Sequence, residues 1–187
     1  MSMSRKNFFF FLTFFFLFVS QTGYIFASED DFGLETPVPP PIEYTLPYPG
    51  LLPNHSFYFL KRARDNVMGF LTSNPVKKAE FFLLQSDKQV EATYLLWEQD
   101  SKNTELMLVT FREAEKHFHA AIVETDAAKK QGMDIHDLHQ RLTLANLKYL
   151  ERGELIEHSL EKEEKEKFAV EIKKMQELGK EVTALKP

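Results

Sequence analysis

The sequence predicts an all-α fold, an antiparallel helical bundle of three to four long helices preceded by a signal or anchor segment and a Pro-rich linker. Three observations carry that reading. Beyond residue 74, apolar residues recur at alternating spacings of three and four along successive stretches, the period of one buried helical face. Seven of the nine prolines fall between Pro37 and Pro53, which bars a helix or an internal strand there. No segment keeps the two-residue alternation of a half-buried strand for long enough to compete. The expected organisation is residues 1–27 as leader, 28–55 as an acidic and then Pro-rich linker, 56–158 as the helical bundle, and 159–187 as a charged amphipathic C-terminal helix.

In the leader, Arg5 and Lys6 form a short positive region, and Phe8 to Val19 is an apolar run broken only by Thr13, the length of a signal-peptide core. A cut after Ala27 would remove it. Without that cut, the apolar stretch continues to Phe26 with polar interruptions at Ser20 to Gly23, close to the ~20 residues of a spanning helix, so that residues 8–26 would contact or cross a membrane. Both readings leave Arg5 and Lys6 in the cytoplasm and predict an extracytoplasmic location for the rest, secreted or anchored.

Removing residues 1–27 takes two of the 23 basic residues, none of the 28 acidic ones and nine of the 18 Phe, so the formal charge moves from -5 to -7. An acidic chain without a basic run argues against nucleic acid as a partner, since affinity for phosphate backbones comes mainly from clustered Lys and Arg. The absence of Cys excludes disulfides, a thiolate nucleophile, Cys-ligated zinc and a lipidated cysteine.

The linker favours extended polyproline II conformation and reads as a spacer. Asn54-His55-Ser56 matches a glycosylation sequon, a tripeptide common by chance. Ser56 is a candidate N-cap, and Phe57, Leu60, Arg64, Val67 and Leu71 follow at helical spacing, so the extended chain turns into a helix here. The junction runs Pro49-Gly50, Leu52-Pro53, then Phe57-Tyr58-Phe59-Leu60-Lys61-Arg62, with Asn74-Pro75-Val76-Lys77-Lys78-Ala79-Glu80 shortly after. From about Pro47 to Leu150 the chain resembles an exported bacterial family catalogued as domain of unknown function 5667. Phe57 stands where that family commonly has Leu or Pro. The resemblance implies export and an α-helical build, and it hands over no activity, cofactor or site.

Asn74 followed by Pro75 opens the next helix, because Asn caps free amides and Pro is tolerated in the first turn. Ala79, Leu83, Ser86, Val90, Thr93 and Trp97 form its stripe, which ends near Gln99. After a turn at residues 100–103, Met107, Phe111, Ala114, Phe118, Ala121, Thr125 and Ala128 repeat the spacing up to Lys129, Lys130 and Gly132, a stop signal. Asp134 caps a third stretch with Ile135, Leu138, Leu142, Ala145 and Tyr149 in register. Trp97 and Phe118 are expected to matter most for stability. Beyond Gly153, Phe168, Ile172, Met175 and Val182 give a narrower stripe behind the charged run Glu161 to Lys167, where Glu161/Lys165 and Glu163/Lys167 are spaced as ion pairs. This is a coiled-coil-like tail, continuous or broken near Ser159, whose seam suits either a partner helix or an ordinary terminal helix.

Only the histidines form a constellation for chemistry. His136 and His139 share a helix face and suit one metal ion. His117 and His119, two apart, point to different sides. In a hairpin turning at Gly132, His119 and His139 would differ in height by about 9 Å. No His has Glu three residues before it, as a di-metal carboxylate bundle requires, and no phosphate loop or hydrolase motif occurs. No catalytic, cofactor-binding or metal residue is therefore assigned. The expectation is an exported, non-enzymatic helical protein that binds an envelope protein or itself. The alternative is an extracytoplasmic metal-binding or stress-sensing protein using His117, His119, His136 and His139.

Overall fold

A computed structural model describes residues 42–100 and 102–186. The leader and the first part of the linker, residues 28–41, lie outside the described residues. Within them are five helices and no strand: α1 Tyr58–Leu71, α2 Pro75–Gln99, α3 Thr104–Lys130, α4 His136–Ser159 and α5 Lys162–Leu185.

The boundaries follow from local chemistry. Asn74 Oδ1 accepts from Lys77 N at 3.0 Å with Pro75 in the first turn of α2, and Asn103 Oδ1 accepts from Leu106 N at 3.4 Å at the start of α3. Gly132, at φ +73°, closes α3: its amide bonds Lys129 O at 2.9 Å and the Met133 amide bonds Ala128 O at 3.1 Å, the paired bonds of a Schellman stop. Asp134 Oδ1 then accepts from His136 N at 2.9 Å. Ser56 does not cap α1. Phe57 stands at that position with no side-chain cap bond. The tail is broken from α4, because Leu160 is extended (φ -85°, ψ 152°). Of the two ion pairs expected on α5, Glu163 and Lys167 meet at 2.7 Å, whereas Lys165 points back to Glu157 at 3.9 Å.

The long helices form two antiparallel hairpins, α2/α3 and α4/α5, laid side by side with α2 against α4 and α3 against α5. Cross-links give the directions. Glu80, Asp87 and Trp97 on α2 meet Arg141, Tyr149 and Ser159 on α4 in ascending order, so that pair is parallel. Phe111, Arg112 and His119 meet Phe168, Glu171 and Glu181 likewise across α3/α5. Consecutive α3 and α4 therefore lie across the bundle diagonal and barely touch.

All the stripe positions expected on α2, α3 and α4 are buried except Trp97, which is half-buried and donates its indole N–H to Ser159 Oγ at 2.7 Å. Phe118 is fully buried, edge-on to Tyr149 with ring centroids 5.2 Å apart. The α5 stripe is covered within the chain: Phe168, Ile172, Met175 and Val182 belong to the same core. Small residues at Ala79, Ser86, Ala114 and Ala145 bring the helices close, and the Ser86 hydroxyl donates to Ala114 O at 2.9 Å instead of being left unpaired. Residues 42–52, expected to belong to a spacer, run along the bundle. Tyr44, Leu46 and Leu52 pack on the core, and the Tyr44 hydroxyl donates to the Asp87 carboxylate at 3.0 Å.

Candidate functional site

The four candidate histidines point to different surroundings. His117 lies on the α2 side of α3, stacked on Phe82 at 6.1 Å. Burial holds its pKa below the ordinary value against the opposing charges of Glu113 and Asp65. His119 faces α5, with Nε2 3.9 Å from Glu181 Oε2. His139 faces α5 from α4, with Nε2 3.1 Å from Val182 O, and His136 is exposed in the first turn of α4. Helices α3 and α4 are not the packed hairpin expected from the turn at Gly132. They are diagonal partners, so what separates these rings is the helix face each occupies. Among the described residues no three His, Asp or Glu side chains gather as a metal ion requires.

His117 does line a hollow of about 450 Å³ between α1, α2 and α3, together with Asp65, Asn66, Gly69, Phe81, Phe82 and Gln85, and with the largely exposed Phe70 at its edge. Helix α1 reaches this position through three contacts. Tyr58 and Gln89 exchange hydrogen bonds at 2.9 and 3.1 Å. Lys61 Nζ donates to Pro49 O at 2.8 Å. At Gly69 a Cβ would stand 3.2 Å from Phe81 Cε1, so the missing side chain lets α1 lie against α2. Asp65 accepts from Arg64 at 2.7 Å, and Lys78, also on the wall, pairs with Glu124 at 2.7 Å. No hydroxyl lines the hollow. It offers an imidazole, a carboxylate, two amides and the Lys78 ammonium around aromatic walls, an arrangement suited to holding a side chain.

Two buried carboxyl sites lie elsewhere. Asp87 accepts from Tyr149 at 2.6 Å and from Tyr44, and burial pushes its pKa up to about 6 against the lowering effect of those bonds. Glu171 is 1% exposed and held by Arg112 at 2.8 Å and Lys174 at 2.5 Å, which keep it ionised. Its neighbour Glu115, 9% exposed, is pushed up to about 8 by burial first and by the Glu171 charge second, and its Oε1 has no hydrogen-bond partner among the described residues.

Helical spacing picks out Leu60, Val67 and Leu71 on α1, and the structure leaves all three exposed on its outer side. Tyr58, Lys61, Asp65 and Gly69 turn toward the bundle, while Phe59 is 62% exposed and Phe70 88% exposed. A helical projection places Phe59, Leu60, Ala63, Val67, Phe70 and Leu71 in one arc of about 120° opposite the bundle. The arc is legible in the sequence. Which arc packs is not, because Tyr58 and Gly69 win the contact through a hydrogen bond and a close approach, and hydrophobicity does not decide it.

No curated protein and no solved structure matches the chain. The sequence model of the family described as Domain of unknown function (DUF5667) matches residues 50–184, from the turn before α1 to the last turn of α5, and the chain belongs to that family.

Proposed function

We propose that the protein is an exported, non-enzymatic helical module that works by docking at the cell envelope through the outer face of α1. The observation that carries this reading is the apolar arc pointing away from the bundle, with Phe70 88% exposed. A contiguous apolar surface of this kind marks an interaction site more often than idle surface. The leader supports export. The strap of residues 42–57 holds α1 on the bundle through the bond from Lys61 Nζ to Pro49 O.

The test is a photo-crosslinking residue at position 70 of the full chain, expressed in its own host, with position 123 on α3 as control. Fractionation outside the cytoplasm with crosslinked product at position 70 and none at 123 is expected. A cytoplasmic protein, or one equally reactive at both positions, would overturn the reading.

A further inference from the structure

We infer that what the outer face of α1 meets is the surface of a lipid bilayer carrying anionic headgroups. This rests on the docking role proposed above and names its partner. Helix α1 has 14 residues, about 21 Å, enough to lie in the interfacial plane. Its apolar arc, Phe59 and Phe70 at one edge and Leu60 and Leu71 at the other, is the width by which an interfacial helix sinks into the boundary between headgroups and acyl chains.

The charge beside the arc has the sign such a surface attracts. Helix α1 carries Lys61, Arg62 and Arg64 against one acid, Asp65, within a chain of net charge -5. Arg64 shares its charge with Asp65, while Lys61, Arg62 and Lys88 have no acidic partner within 4 Å among the described residues. Next to Leu60 lies a shallow hollow of about 420 Å³ lined by Lys61, Arg64 and Lys88 with Tyr48 and Leu51, and no acidic side chain lines it. Lys88, with Arg64 beside it, suits a phosphate held at the rim of the exposed apolar face, where its acyl chains continue along the face, while Lys61 Nζ is taken by Pro49 O at 2.8 Å and Leu51 O at 3.4 Å. A protein partner would need acidic groups at the same height, and an apolar second copy would bring like charges together.

The chain has one Trp, Trp97, which lies beside Ser159 near the far end of α2. This supplies a test that works whether or not the leader anchors the chain. The full chain with Trp97→Phe and Phe70→Trp is reconstituted with phosphatidylglycerol/phosphatidylcholine vesicles containing lipids brominated on the acyl chains, and its fluorescence is compared with that of the unmodified chain. At least twofold quenching at position 70 with little at Trp97 is expected. Arg62→Glu/Lys88→Glu, or vesicles of phosphatidylcholine alone, should reduce the quenching severalfold. Circular dichroism checks that each variant folds. No quenching at position 70, or equal quenching at both positions, overturns the inference, and quenching indifferent to lipid charge overturns the anionic headgroup. If position 70 stays dark in vesicles yet crosslinks to a protein or to a second copy in cells, lipid is the wrong partner and the docking role stands.

Discussion

Glu115→Gln isolates the least comfortable group in the core. In the unfolded chain this carboxyl loses its proton near 4.5, whereas in the fold burial and the Glu171 charge hold it to about 8. Between those values the folded chain binds one more proton than the unfolded one, so stability falls as pH rises through the interval, and the loss is complete above it. A proton held over that span corresponds to about 4–5 kcal/mol. Movement of Lys174 and Arg112 toward a second charge offsets part of it, leaving about 2–4 kcal/mol. Gln keeps the shape and stays neutral. Urea melts of both proteins at pH 5 to 9 should give similar stability at pH 5 and a widening gap in favour of the variant, reaching about 2–4 kcal/mol at pH 9. Other groups titrate alike in both proteins and cancel. Curves that stay parallel from pH 5 to 9 would refute the argument, because Glu115 would then titrate alike in the folded and unfolded chains.

Three further substitutions test the packing by the same melts. Phe118→Ala removes a fully buried ring from its contact with Tyr149 and should cost about 3–5 kcal/mol, and a loss under about 1 would remove it from the core. Trp97→Ala should cost clearly less, about 1–2 kcal/mol, since the indole is half-buried and loses one hydrogen bond, to Ser159; a loss equal to that of Phe118→Ala would mean a deeper burial. Asn146→Ala removes the second bond that Met175 O, already held within its own helix, accepts from Asn146 Nδ2 at 2.9 Å inside the α4/α5 contact, and should cost about 0.5–1.5 kcal/mol, whereas a neutral change would mean that water replaces the amide.

Sequence by itself determined the all-α class, the start of α2 at Asn74-Pro75, the stop at Gly132 and the buried faces of α2, α3 and α4. These depend on cap geometry and on the 3.6-residue period, both local. Pairing was decided only in three dimensions. Stripes say which side of a helix is buried and not which helix buries it, so α3 and α4, joined by a short turn, sit on a diagonal while α3 packs parallel to α5. The placement of His117 against Phe82, and of His119 and His139 against α5, follows from that pairing. Helix α1 is the plainest case. Its apolar residues are in the sequence, yet the bundle takes its Tyr58 and Gly69 side, because a hydrogen bond to Gln89 and a close approach to Phe81 are tertiary facts. The arc left over faces outward, and only the folded chain shows it as a surface.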